Sequence, residues 1–317
     1  MLCTDKQRSY IHKLLNDLGY TTQKIHQTAF IHYTEEKYMT GNASTVIEKL
    51  LEEVSILRHP KKRKVLSKYY TATGLAEFAF CPASYSIKNS LYLPKTIEEE
   101  EGLLLHSESY LEEFLKNVFN KRKRKYESGD GISDKRNLKK IYSGNYGELL
   151  SSKIIYKGHI EEKKILYSSK GKLAGSPDYI FERNDGSKFV LEEKHTWQDL
   201  VERPWLSNLI QVLAYVYGIK YESVEFDKGY LLYFSWTWFN RKRYTKNARL
   251  FKVDRNKQNY GILVDVFSKV KEFRNRGKIH FDTKSLNPSK CLKCSSKIFC
   301  KHKAGRLNEI NYPYYKR

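Results

Sequence analysis

The stretch Gly175–Gln198, GSPDYIFERNDGSKFVLEEKHTWQ, decides how the chain is read. Asp178-Tyr179-Ile180-Phe181 and Lys188-Phe189-Val190-Leu191 are short apolar runs of strand length. Asn184-Asp185-Gly186-Ser187 between them is a hairpin turn by composition. The second run goes straight into Glu192-Glu193-Lys194. Residues two apart in a strand share a face and stand ~6.6–6.8 Å apart, so Glu192 and Lys194 point the same way and Glu193 points to the other side with Leu191. A tight antiparallel hairpin brings Asp178 to the same end of the sheet as Glu192. Two carboxylates a few ångströms apart repel unless they are protonated or hold a cation. Hard oxygen ligands suit Mg²⁺ or Mn²⁺, which lower the pKa of bound water and neutralise charge on a phosphoryl oxygen. Lys194 beside such an ion is placed to hold the attacking water or to stabilise the transition state, and the ion lowers its pKa. A Glu-x-Lys on a strand is, taken alone, most often a surface ion pair.

Outward from this hairpin, the sequence splits into regions. Residues 1–70 read as a helical extension, with STVIEKLLEEVSILRHP at three-to-four spacing and Lys61-Lys62-Arg63-Lys64 as a linker. TATGLAEFAFCPASYSI is a short helix that turns at Cys81-Pro82. TIEEEEGLLLHSESYLEEFLKNVF, from Thr96, is a helix with acidic residues in its first turn. About 117–145 is a polar insertion holding Lys121-Arg122-Lys123-Arg124, able to contact a phosphate backbone or to remain a solvated loop. From Gly147 to Lys194 short alternating runs read as strands, Gly158-His159-Ile160 and Lys164-Ile165-Leu166-Tyr167 among them. LSNLIQVLAYVYGIKY is a helix, GYLLYFSWTWF and RLFKVD are strands, and KQNYGILVDVFSKVKEFRNRG is an amphipathic helix. This order gives an α/β sheet over 71–305, followed by a tail, 306–317.

The 317 residues carry Lys+Arg 58 against Asp+Glu 36, a net charge of +22. That balance points to a polyanionic partner, nucleic acid first. The start lacks the apolar core of a signal peptide, and no span approaches the ~20 apolar residues of a membrane helix. A cytoplasmic location is expected, where structural disulfides are rare, so the five cysteines need another role. Cys291, Cys294 and Cys300 form C-x₂-C-x₅-C. Three cysteines lack the fourth ligand of a closed metal centre. Trp236, Trp238 and Phe239 precede Arg241-Lys242-Arg243. The rings suit packing under a sheet, and the basic turn suits backbone contact with nucleic acid.

Four motifs stand in order: Gly102-Leu103-Leu104-Leu105-His106, Gly175-Ser176-Pro177-Asp178, Glu192-Glu193-Lys194 and Gln211-Val212-Leu213-Ala214-Tyr215. Together they resemble the motifs of RecB-type nucleases of the PD-(D/E)XK superfamily. The resemblance implies a restriction-endonuclease-like central mixed sheet flanked by helices, and metal-dependent DNA cleavage. It implies His106, Asp178, Glu192 and the backbone carbonyl of Glu193 as ligands of Mg²⁺ or Mn²⁺. It implies Lys194 as the catalytic lysine, with Gln211 and Tyr215 lining the site. Cys81 together with Cys291, Cys294 and Cys300 resembles the ligand set of the iron–sulfur subset of this family, which includes CRISPR-associated exonucleases. A [4Fe–4S] cluster is the implied cofactor, and a Cys₄ zinc site is the alternative. The implied substrate is DNA with single-stranded ends or overhangs. A DNA-holding subunit of a larger assembly, with a protein partner and little activity, is the competing expectation. Two features depart from compact members: about eighty residues precede the first of these cysteines, and the interval from His106 to Asp178 is long.

Overall fold

The structure, a computed structural model, describes residues 5–17, 68–91, 146–158, 165–168, 172–196, 202–239, 242–282 and 307–311. It also describes residues 47, 50, 51, 54, 111, 112, 114–116, 142, 143, 291, 294, 296 and 300. In chain order the elements are α1 (Asp5–Asp17), β1 (Tyr70–Thr71), α2 (Ala72–Phe80), α3 (Pro82–Ser90), β2 (Tyr142–Ser143) and α4 (Gly147–Ser151). There follow β3 (Lys153–Lys157), β4 (Leu166–Tyr167), β5 (Leu173–Gly175), β6 (Tyr179–Glu182) and β7 (Lys188–Thr196). The rest are α5 (Leu206–Gly218), β8 (Lys220–Tyr221), β9 (Val224–Phe239), β10 (Lys242–Asp254), α6 (Lys257–Arg276), β11 (Lys278–Asp282) and β12 (Leu307–Asn311).

The main sheet is mixed, in the order β2-β10-β9-β7-β6-β3, with β8 paired to β9. Its organising unit is the hairpin β6–β7, in the register Tyr179↔Leu191, Ile180↔Val190 and Phe181↔Phe189. The turn between them puts Gly186 at φ 79, a left-handed conformation that glycine adopts without strain. The Asp185 carboxylate accepts the Ser187 N–H at 2.9 Å and closes the turn. β7 then pairs in parallel with β9, which requires a crossover, and α5 supplies it.

The alternation of β7 divides the core in two. Val190, with Ile180, Leu231 and Tyr233, packs under α2, α5 and α6 through Leu75, Val212, Val216 and Phe273. Phe189 and Leu191, with Tyr179, Phe181, Leu232 and Phe234, face the other way onto Leu111, Phe114, Leu115 and Leu149. Leu111 and Phe114 are helical, as the pattern of that region predicts. The result is a mixed α/β architecture with helices on both faces of a mixed sheet.

The break at Cys81 is where the sequence puts it. Thr71 caps α2 by accepting the Gly74 N–H at 2.8 Å. Cys81 is extended (φ -165, ψ 122), and Pro82 opens α3 at a position where its missing N–H costs nothing. Several boundaries differ from expectation. Gly147–Ser151 is a helix, not the start of the strand region. Of the strand expected at Gly158-His159-Ile160, Gly158 is a turn residue directly after β3 (Lys153–Lys157). Gly158 instead closes on the turn ahead of β6: a Cβ there would stand 2.4 Å from the Pro177 carbonyl oxygen. His159 and Ile160 lie outside the described residues. β9 and β10 are much longer than their apolar cores, pairing from Lys242↔Phe239 to Asp254↔Lys228. Among the described residues no helix is long and apolar enough to cross a membrane.

Candidate active site

The register of β6–β7 carried one step further sets Asp178 opposite Glu192. Asp178 is held there by the partner strand β7: one carboxylate oxygen accepts the Glu193 N–H at 2.8 Å. The Asp178 and Glu192 carboxyls stand within hydrogen-bonding reach of each other. Loss of hydration pushes Asp178 up from 3.8 to about 6, and the negative charge of Glu193 adds to this. Lys194, the Glu193 N–H and the Glu192 hydrogen bond oppose the rise without cancelling it.

Lys194 lies on the same face as Glu192, and its Nζ donates to Glu192 Oε1 at 2.7 Å and to Gln211 Oε1 at 3.1 Å. Burial works against the ammonium, but Glu192 and Asp178 outweigh it and hold the pKa above the usual lysine value. In the absence of a cation the shift is therefore upward, opposite to the lowering expected beside a metal. Two carboxyls against one ammonium leave the cluster short of positive charge.

α5 supplies the other wall. Gln211 and Tyr215 are four apart, so they share a helix face. Gln211 Nε2 donates to Glu192 Oε1 at 2.5 Å and to the Tyr215 hydroxyl at 3.2 Å. Tyr215 in turn donates to the Ser176 carbonyl at 3.1 Å. The Gln-x-x-x-Tyr motif thus ties α5 both to β7 and to the loop that carries Asp178. Gly175 is the close approach that permits this: a Cβ there would lie 2.7 Å from Tyr215 Cε1.

Glu193 points away, as the strand period requires. On the opposite face it pairs with His195, Oε1 to Nε2 at 2.6 Å, and the His195 ring stacks on Phe234 at 5.5 Å. Three partners were not legible as site residues: Ser176, through its backbone carbonyl; Tyr156, bonded to Ser176 Oγ at 2.7 Å; and His195. Only His195 left a trace, as the second residue beyond Glu193 on an extended strand.

The structure thus brings together Asp178, Glu192, Lys194, Gln211 and Tyr215. His106 lies outside the described residues, as do Lys121, Arg122, Lys123, Arg124 and Arg241. Lys242 and Arg243 are in β10, paired with Phe239 and Trp238 of β9. They are strand residues, not turn residues. Among the described residues no group of three or more His, Cys, Asp or Glu side chains meets the spacing of a metal centre. The two-carboxyl donor set of Asp178 and Glu192, all oxygen and short of positive charge, nonetheless fits a hard divalent cation chemically.

The four described cysteines of the expected cluster are in no disulfide. Cys81 sits between α2 and α3, and Cys81 and Cys300 both pack against the main core. The Cys294 N–H donates to the Cys291 carbonyl at 3.3 Å. Cys294 Sγ lies 3.7 Å from the Ser84 hydroxyl, one turn along α3 from Cys81. Burial pushes the Cys81 thiol up to about 11, and the neighbouring Cys294 and Cys291 add to the rise. Soft sulfur donors brought from both ends of the fold suit iron–sulfur or zinc ligation.

No family model matches the chain, and no curated protein matches it. Among solved structures, the crystal structure of SSO0001 is similar at 15% identity, covering 80% of this chain and 92% of that one. Its TM-score is 0.33, too low to carry an argument about fold or function.

Proposed function

We propose that this protein is a divalent-metal-dependent deoxyribonuclease of RecB type, with a restriction-endonuclease-like core, acting on single-stranded DNA ends or overhangs. The observation that carries the reading is the convergence of Asp178, Glu192, Lys194 and Gln211 at one strand end. A structural ion pair needs one carboxylate for one lysine. Here two carboxyls are held together at the cost of lifting Asp178 to about 6. The net charge of +22 supports a polyanionic substrate.

Asp178 and Glu192 would hold Mg²⁺ or Mn²⁺, joined in the family pattern by His106 and the Glu193 carbonyl. A divalent ion held there would supply an activated water and neutralise charge on the phosphoryl oxygens. Lys194 presents its N–H bonds where a nonbridging phosphate oxygen or the incoming water would sit. Gln211 holds Lys194 from one side and Glu192 from the other, so the ammonium is oriented before substrate arrives. Tyr215 anchors Gln211 and the Ser176 loop, and acts as a positioning residue. Cys81, Cys291, Cys294 and Cys300 would hold a [4Fe–4S] cluster that clamps the C-terminal segment against α2 and α3. Its contribution is structural, because it closes a loop of some two hundred residues.

The test is cleavage of labelled single-stranded DNA, duplex DNA and RNA with Mn²⁺ or Mg²⁺. The wild-type protein cleaves single-stranded DNA. Lys194→Ala loses at least about 100-fold in rate, the scale of one electrostatic contact to a developing charge, and still binds DNA. Cleavage that survives in Lys194→Ala, or no cleavage of any substrate by cluster-loaded protein, overturns the reading.

A further inference from the structure

α5 opens on Trp205, whose side chain makes no capping hydrogen bond to the helix. The residue remains 40% exposed. It is nevertheless held in place. Its ring meets the ring of Tyr233 edge-on at 5.7 Å and 85°. Its backbone N–H donates to the Tyr233 hydroxyl at 3.3 Å, and Asn208 Nδ2 donates to the same oxygen at 2.8 Å. Tyr233 is buried and is the β9 residue in register with Lys194. The indole therefore stands one strand spacing, ~4.8 Å, and one ring contact from the strand position of the catalytic lysine. Arg203, two residues earlier, is also exposed.

A large ring held by one T-shaped contact, with exposed surface beside a phosphodiester-cleaving site, has a direct chemical use. We propose that Trp205 is a base-stacking platform: it takes the face of an unpaired nucleobase next to the scissile phosphate, with Arg203 on the adjoining backbone. This rests on the nuclease reading above and deepens it, since it names how single strands are selected. Bases in a duplex are stacked on one another and cannot offer a face to the indole without unpairing, whereas single strands can. Stacking tolerates any sequence, because every base has a π-face.

The test uses full-length Lys194→Ala protein, so that DNA is bound and not cleaved, with a fluorescently labelled single-stranded oligonucleotide and the matching blunt duplex. Adding Trp205→Ala weakens single-strand binding about tenfold, the size expected for one lost base stack, and changes duplex binding less than about twofold. Trp205→Phe restores most of the affinity. One abasic nucleotide near the scissile position reproduces the loss when Trp205 is present and adds nothing when it is alanine. Equal single-strand affinity with and without the indole overturns the proposal. So does an equal loss on duplex and single strand, which marks a general structural effect. These outcomes are separable from failure of the nuclease reading. That failure appears as absence of cleavage in protein with Lys194 intact, while the binding comparison still reports on Trp205.

Discussion

Replacing Asp178 with asparagine removes a charge that the fold tolerates poorly and keeps the geometry. The amide oxygen can still accept the Glu193 N–H, and the amide N–H can donate to Glu192, in place of the contacts Asp178 makes. The Asp178 carboxyl is raised from 3.8 to about 6, chiefly by desolvation. At about 1.4 kcal/mol for each tenfold change, holding it ionised costs about 3 kcal/mol. The folded state takes up this proton more readily than the unfolded chain. Its contribution to stability is therefore full below pH 3.8 and is lost as pH rises through about 6. Asp178→Asn is then worth about 3 kcal/mol at pH 8 but only about 1 kcal/mol at pH 4.5. Because the two carboxyls titrate as a coupled pair, these figures set a scale for the pair and not for a single residue.

The assay is thermal melting in EDTA at both pH values. With about 2 °C per kcal/mol for a chain of this size, the variant melts about 6 °C above wild type at pH 8 and about 2 °C above at pH 4.5. Adding Mn²⁺ raises wild type by about 2.7 kcal/mol at a concentration one hundred times the dissociation constant, and leaves the variant nearly unmoved. The variant does not cleave DNA. A shift of equal size at both pH values, or a loss of stability at pH 8, would refute the claim that an ionised carboxylate is strained at this position. Equal stabilisation of both proteins by Mn²⁺ would place the cation elsewhere.

Gly175→Ala pushes a methyl group to 2.7 Å from Tyr215 Cε1 and 3.1 Å from Ala72 Cβ. It is expected to lose about 1–3 kcal/mol in urea unfolding, with cleavage reduced because Tyr215 anchors Gln211. Glu148 receives Tyr230, Lys228 and Arg183, which outweigh its desolvation and hold its carboxyl down at about 2. Glu148→Gln therefore loses about 1–2 kcal/mol at pH 7 after allowance for solvent screening, and the deficit shrinks as pH falls from 4.5 toward 2. Protein purified without oxygen is expected to be brown, with about four iron and four sulfide per chain, and Cys81→Ala to lose both. Stoichiometric zinc in a colourless preparation would reassign the thiols.

The difference between what the sequence discloses and what it hides follows from which atoms make each contact. The hairpin was legible because side-chain alternation reports strand facing directly: Val190, Glu192 and Lys194 share one face, and Phe189, Leu191 and Glu193 the other. The four-residue spacing of Gln211 and Tyr215 reports a helix face in the same way. The full length of β9 and β10 was hidden, since Arg241-Lys242-Arg243 reads as a basic turn by composition, whereas Lys242 and Arg243 pair with Phe239 and Trp238. A ladder is made by backbone groups, however, and an outer strand segment pairs with any side chains that avoid a clash. Ser176 was hidden for the same reason, as its carbonyl is the acceptor for Tyr215.

Trp205 shows a third kind of silence. In the sequence it precedes a helix that starts at Leu206, and nothing in its spacing links it to Lys194. The link exists only because β7 and β9 run parallel in the register Lys194↔Tyr233 and because the Tyr233 and Trp205 rings meet in a T-shaped contact. Motif reading finds groups that one element presents together. A substrate, however, meets groups that three elements present together, and that assembly is set by packing across the sheet. The exposed indole is also easier to explain by a ligand than by stability: burying it would remove apolar surface from water at about 25 cal/mol per Å². The chain leaves that gain unrealised one ring contact from the strand position beside Lys194.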